Sequence, residues 1–198
     1  MDMFTIIPCA AGCGRSAITG TNTCAVHTAN RAKEAERIAA LIMEQETIKD
    51  INAPGLHFIG VDFSKRKFFG CNFYEAKFSM CIFSESFIRM SFFDFSNLID
   101  CDFSNTDIQF VSFSGSKIRN CTFEGSELVH LNFEGCSIFD TTFNDSNLYN
   151  SRFIGANIEL TDFIDCNIKK TFFIKARKEG VSFKSSNTAE AVFDMEEP

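Results

Sequence analysis

Phenylalanine recurs every twenty residues along two interleaved rows of this chain. Phe63, Phe83, Phe103, Phe123, Phe143, Phe163 and Phe183 form one row; Phe73, Phe93, Phe113, Phe133, Phe153, Phe173 and Phe193 form the other. A finer beat of five runs between them. From Phe58 to Phe193 every fifth residue is Phe, Leu or Ile except Lys178 and Thr188, so 26 of 28 sites match. Neither the 3.6-residue period of a helix nor the two-residue period of a strand produces this. A fixed period held for so long is the mark of a solenoid. A four-sided coil of about twenty residues, with one short strand-like segment per side, accommodates the beat and puts the two Phe rows on opposite walls. The other walls carry rows 58-78-98-118-138-158 and 68-88-108-128-148-168, which are Phe at 58, 68 and 78 and Leu or Ile from 88 onward. Rings meeting from opposite walls and branched chains filling between them give a close-packed interior. The expected fold is therefore all-β, a quadrilateral parallel β-helix of about seven coils, roughly 34 Å tall at ~4.8 Å per rung.

The same register sorts the nine cysteines. Cys71, Cys81, Cys101, Cys121, Cys136 and Cys166 each lie two residues before a centre of the beat, in a slot otherwise held mostly by Ser, Thr, Ala or Val. They read as small buried fillers, a common use of free Cys. Larger exceptions in this slot are Leu56, Arg66 and Leu131. Cys9, Cys13 and Cys24 precede the repeats and stand apart.

Four segments follow from these patterns. Residues 1–29 hold the separate cysteines among Gly, Thr and Asn. Residues 30–53 read as a capping or linker helix, with Asn30 or Thr28 at its start and Ile38, Leu41, Ile42 and Ile48 on one face. Asn52-Ala53-Pro54-Gly55 marks its end. Residues 55–194 carry the beat, and 195–198 form an acidic tail. No basic segment or cleavage site opens the chain, and no run approaches the ~18 apolar residues of a membrane span. A cytoplasmic protein without a membrane partner is expected.

Ser96-Asn97-Leu98, Thr106-Asp107-Ile108, Ser146-Asn147-Leu148, Ala156-Asn157-Ile158 and Cys166-Asn167-Ile168 follow the pattern Ala-Asp/Asn-Leu-x-x. In these triplets the chain resembles the pentapeptide-repeat family. That resemblance implies a right-handed quadrilateral β-helix, with Cys101-Asp102-Phe103 and similar triplets as a Phe-centred variant. Arg66, Lys178 and Thr188 depart from it at the ends, and the last two read as the solenoid closing.

Cys9-x3-Cys13-x10-Cys24-x2-His27 has the donor set and spacing of a structural zinc knuckle. Gly12, Gly14 and Gly20 allow tight turns around an ion. Four protein ligands fill a tetrahedral shell, so the Zn²⁺ expected here is structural rather than catalytic. The segment also resembles small Cys-Gly…Cys-x-x-His modules beside bacterial and phage DNA-processing domains. It is close to neutral, however, which leaves little source for the salt-dependent attraction of a nucleic-acid binder. Direct nucleic-acid binding is not expected.

No catalytic constellation is visible. His57 and His130 fall on outward positions, acidic pairs lack a cleft to desolvate them, and no phosphate loop is present. The chain reads as a non-enzyme. Its outer faces are more informative. The wall centred on the 63–163 row displays Asp62, Glu85, Asp102, Glu124, Asp145, Asp162 and Asp165. Residues 94–165 carry twelve acids against three bases, within a net charge of −7. The wall centred on the 68–148 row displays Phe69, Phe87, Met90, Phe110, Val129 and Tyr149, and such an apolar column marks an interaction site. Lys169, Lys170, Lys175, Arg177 and Lys178 make a basic patch near the far end. The leading expectation is a protein-interaction scaffold, forming a homodimer or meeting another protein through the apolar wall. The alternative draws on the resemblance: topoisomerase-protecting family members present an acidic, duplex-like β-helix to DNA gyrase, and the acidic wall is compatible with such a DNA mimic. Those relatives dimerise through their C-terminal end, whereas this chain ends in a basic, irregular coil.

Overall fold

In the computed structural model, which describes residues 6–194, the five-residue beat becomes four walls. One wall stacks the parallel strands Thr47–Lys49, Lys67–Phe69, Phe87–Arg89, Asp107–Gln109 and Glu127–Val129. The opposite wall stacks His57–Ile59, Lys77–Ser79, Asn97–Ile99, Lys117–Arg119, Ser137–Phe139, Asn157–Glu159 and Arg177–Glu179. Partners lie twenty residues apart throughout, as in Ile118↔Ile138 and Phe68↔Ile88. On the two Phe walls, single-residue bridges repeat the same step, for example Asp102↔Thr122 and Ser112↔Asn132. Each wall is only three residues wide because a corner follows. Every fifth residue from Asp50 to Ser185 has a positive φ, which turns the chain onto the next wall. Gly, Asn and Asp fill many corners, as a left-handed conformation favours.

The centres are buried. Rings of one row stack along the axis, as Phe103 does on Phe123 at 4.8 Å and 9°. Rings of the two rows meet edge-on, as Phe123 meets Phe133 at 6.2 Å and 86°. Both geometries suit the quadrupole of an aromatic ring. The six repeat cysteines are buried free thiols, as the register required. Burial pushes Cys71 and Cys136 up to about 12 and Cys166 to about 11, so they stay protonated and inert. In the same slot Ser116, Ser146 and Thr171 donate to the carbonyl of the centre one coil back, at 2.6–2.7 Å. Cys136 and Cys166 reach the equivalent carbonyls at 2.9 Å.

The helix is shorter than the sequence suggested. Helix α1 spans Arg31–Met43, and Asn30 caps it by accepting from the Lys33 N–H at 3.1 Å. The expected extension to residue 53 does not form, and Ile48 belongs to no helix face. Thr47–Lys49 is the first strand, with Ile48 registered on Phe68. Ile48 and Ala53 continue the five-residue beat downward, and Lys67 donates its backbone N–H to the Glu46 carbonyl at 2.9 Å. A helix there would leave that lower coil edge unpaired. The solenoid therefore begins near residue 46, about ten residues before the predicted boundary. Ala35, Ile38, Ala39 and Ile42 bury their α1 face on the first coil and close the lower end. Arg66 leaves its inward slot to cap this helix, donating to the Met43 carbonyl at 3.2 Å.

At the upper end the beat fails where expected. Lys178 takes a centre position opposite Ile158 but turns out, donating to the Ala176 carbonyl at 2.9 Å. Thr188 sits in a 3₁₀ turn, Thr188–Glu190. The Asn187 side chain there accepts the Ile168 N–H at 2.7 Å, standing in for a missing rung. The acidic tail expected at 195–198 lies outside the described residues.

Candidate metal centre and outer walls

Two local turns build the cysteine cluster. Cys9 and Cys13 lie in a loop closed by the Pro8↔Ser16 bridge and by Cys9 N–H donating to the Arg15 carbonyl at 2.9 Å. Gly12 and Gly14, at φ of 67° and 76°, let this loop turn back sharply. Cys24 and His27 lie on the turn before α1, where His27 N–H donates to the Cys24 carbonyl at 3.0 Å. The four donor atoms all fall within 4.8 Å of one another. Cys13 Sγ is 3.7 Å from Cys24 Sγ, while His27 Nδ1 is 3.6 Å from Cys9 Sγ and 3.4 Å from Cys24 Sγ. A tetrahedron with bonds of about 2.3 Å to sulfur and 2.0–2.1 Å to nitrogen has edges of roughly 3.4–3.8 Å. The Cys₃His group thus has the size and donor chemistry to hold a metal ion. Burial opposes ionisation of Cys24, but the backbone of Val26 and His27 and the His27 and Cys9 side chains outweigh it and bring its pKa down to about 6. This thiol, unlike Cys71, Cys136 and Cys166, is prepared to ligate as thiolate.

Asn52 joins the cluster to the solenoid. Its N–H donates to Thr19 Oγ1 at 2.7 Å, and its carbonyl accepts the Thr19 N–H at 2.8 Å. Its side-chain amide donates to the Ala17 carbonyl, and its Oδ1 accepts from Asn72 Nδ2 at 2.7 Å. The Cys/His loop is therefore laid along the open lower edge of one Phe wall. Nothing in the local sequence around Asn52 announces this role.

All seven predicted acidic-wall residues are exposed or half-exposed on the expected side. Their carboxylates are not all free. Asp62 and Asp102 accept the backbone N–H of Ser64 and Ser104 at 2.9 and 2.8 Å. The Ser64 hydroxyl and N–H hold the Asp62 carboxyl below its ordinary range. Glu85 meets Lys65 at 3.6 Å. Ile82, Thr122 and Thr142 interrupt the bridge column that carries Asp62, Asp102 and Asp162.

The predicted apolar wall divides in two. Phe69, Phe87, Val129 and Tyr149 are half-buried by neighbours. Phe69 packs on Phe87 at 5.5 Å, and the Arg89 guanidinium covers Phe87 at 3.6 Å while pairing with Asp107 at 2.6 Å. Met90 and Phe110 project further, 47% and 58% exposed. Both occupy corners, at φ of 48° and 56°. A bulky side chain in this conformation costs about 1–2 kcal/mol, yet about half of each stays exposed to solvent. Met80, Phe95 and Leu160 are exposed at corners in the same way, and Phe92 and Tyr74 are exposed nearby. The sequence reading missed these five. Inspecting the corner slot, two residues after each centre, for bulky apolar residues would have found the first three.

The described walls carry open grooves, one of them lined by Asp50, Asn52, Gly70, Asn72, Tyr74 and Phe92. His57 Nε2 stands 3.1 Å from Ser79 Oγ on an open wall. Among the described residues no carboxylate bonds the His57 ring to orient it as a base. No helix among the described residues is long and apolar enough to cross a membrane.

Comparison with known proteins agrees with this architecture. A profile described as "Pentapeptide repeat region" matches residues 56–133. A second, "Pentapeptide repeats (8 copies)", matches 119–153, 132–169 and 142–177. No curated protein matches the chain. Among solved structures, a trypsin-treated variant of QnrB1, a plasmid-mediated fluoroquinolone resistance protein, aligns with a TM-score of 0.57 at 18% identity, covering 67% of this chain and 70% of that one. HetL, a pentapeptide repeat protein involved in heterocyst differentiation regulation from the cyanobacterium Nostoc sp. strain PCC 7120, aligns at 13% identity with a TM-score of 0.32, covering 80% and 95%.

Proposed function

Since the chain belongs to the pentapeptide-repeat family, we propose that it is a non-enzymatic protein-interaction scaffold that docks through an outer wall of its solenoid. The observation that carries this reading is the pair Met90 and Phe110, large apolar side chains held outward at left-handed corners of a filled solenoid. Exposed apolar groups concentrated in this way mark contact surfaces. Asn is the control substitution, because Asn105, Asn120 and Asn150 already occupy equivalent corners. Affinity capture from the native host should recover a protein with the wild-type chain and lose it with Met90→Asn/Phe110→Asn. Equal recovery by both would rule the corner out as the docking surface. Zn²⁺ is the proposed occupant of the Cys₃His group, supported by its donor distances and soft ligand set. When bound it would tie the two turns together, with Cys9, Cys13, Cys24 and His27 as ligands, and leave no open coordination position.

A second reading, docking of the acidic wall on DNA gyrase as a duplex mimic, is supported by the twelve acids against three bases in residues 94–165. Backbone capture of Asp62 and Asp102 and the gaps at Ile82, Thr122 and Thr142 weaken it, because a mimic needs free charge at regular spacing. A supercoiling assay decides: protection or inhibition of gyrase supports the mimic, and no effect at stoichiometric excess discards it.

A further inference from the structure

One corner column climbs the solenoid in steps of twenty residues: Asp50, Gly70, Met90, Phe110, His130, Asn150, Lys170. Backbone hydrogen bonds join each rung to the next, from Asp50 N–H to the Phe69 carbonyl at 3.0 Å up to Asn150 N–H to the Lys169 carbonyl at 3.1 Å. Phe110 lies three rungs above Asp50 and three below Lys170. Below it stand an acid, a gap and an apolar chain; above it an aromatic ring, an amide and a base. The column is therefore complementary to its own reverse. Building on the scaffold reading, we infer that the occupant of this corner is a second copy of the same chain, packed antiparallel about a two-fold axis level with Phe110.

In that arrangement a residue faces its mirror position in the same column. Asp50 meets Lys170 of the second copy, and Met90 meets its His130. Phe110 meets Phe110. The flanking column agrees: Phe69 faces Tyr149, Arg89 faces Val129, and Gln109 faces itself. Lys49 faces Lys169, whose ammonium is already held by Glu190 at 2.7 Å. Within one chain Asp50 and Lys170 are six rungs, about 29 Å, apart and cannot pair. Both are exposed, and neither forms an ion pair among the described residues. A parallel pairing would set Asp50 on Asp50 and Lys170 on Lys170, so charge selects the antiparallel one. The central aromatic stretch is also in place. Phe110 stacks on His130 at 4.9 Å and 8°, and His130 meets Tyr149 edge-on at 6.0 Å. Such a rigid aromatic patch at the centre of a symmetric contact is where binding energy concentrates.

Sedimentation equilibrium on the full chain tests this. Wild type should be a dimer. Phe110→Asn should weaken association by at least about tenfold, because the change enters twice at the axis, while circular dichroism should show the solenoid still folded. Asp50→Lys and Lys170→Asp should each weaken it, and the double variant should recover most of the loss, since only an antiparallel pair restores opposite charges. A monomer at concentrations on the order of 100 µM overturns the inference, given that specific dimers form well below this. So does a dimer indifferent to the single charge reversals, which is what end-to-end contact would give, or a double variant weaker than either single one. A monomer that still captures a host protein through Met90 and Phe110 would remove the dimer and leave the scaffold reading standing.

Discussion

Replacing Phe123 by Ala should lower the stability of the solenoid by about 3–5 kcal/mol, the range for emptying a fully buried aromatic site. Phe123 is 0% exposed. It stacks between Phe103 and Phe143 at 4.8 and 4.9 Å and meets Phe113 and Phe133 edge-on at 6.3 and 6.2 Å. Removing it therefore deletes four aromatic pairs as well as the buried area, each pair adding ~0.5–1.5 kcal/mol beyond burial. The walls cannot collapse into the cavity, because ladder hydrogen bonds fix the rung spacing on every side. Cys121→Ser, two residues away, is the matched control. Its slot holds Ser in neighbouring columns, and a hydroxyl there can donate to the Leu98 carbonyl now contacted by Cys121 Sγ. Its effect should stay below about 1.5 kcal/mol. Urea midpoints for the two variants measure the difference. A loss under ~1 kcal/mol for Phe123→Ala would mean that the interior is not packed tightly enough to feel a missing ring.

The same contrast explains why so much of the fold was readable in advance. A centre residue must be large and apolar and its slot neighbour small, so both leave a mark on hydropathy at fixed spacing. Ile48 shows how that mark becomes ambiguous. It lies seven residues beyond Leu41, about two helical turns, and ten before Phe58, so it fits both an α1 face and the five-residue beat. Ala53, the next centre, is too small to break the tie. What decided the matter was pairing of Glu46 and Thr47–Lys49 with the coil above, a long-range demand that a local window does not contain. Corners are marked only in part, by their Gly, Asn and Asp residues, for another reason. Their requirement is a positive φ, and Lys65, Met90, Phe110 and Ser185 all satisfy it without a common side-chain chemistry. The candidate metal ligands were legible because each pair is local, one in a glycine-rich loop and one in the turn before α1. The attachment of that loop to Asn52 spans more than thirty residues and was not.

That attachment sets the outcome expected when the proposed Zn²⁺ is removed from the Cys₃His group. Apart from the ligands Cys9 and Cys24, the described segment before α1 buries only Ala17, Ile18 and Ala25 among its apolar residues, far less than a chain of that size needs to fold alone. Structural zinc contributes roughly 10–16 kcal/mol of apparent binding free energy in comparable modules, so metal and loop should be lost together. Protein purified without chelator should contain one zinc per chain, and Cys24→Ser should contain none. Hydrogen exchange should then accelerate through residues 6–29, through α1, and in the first rung around Asn52 and Thr47–Lys49. The Cys/His loop covers that rung through Thr19, and α1 closes the core beneath it. Coils above Phe103 should keep their protection, because each rung of a solenoid is stabilised mainly by its neighbours. A chain that holds no metal as purified overturns the zinc assignment. A Cys24→Ser chain with residues 6–29 still protected would show instead that the contacts with Asn52, and the Arg37 guanidinium donating to the Thr19 carbonyl, hold the loop, and that the four ligand side chains converge for packing alone.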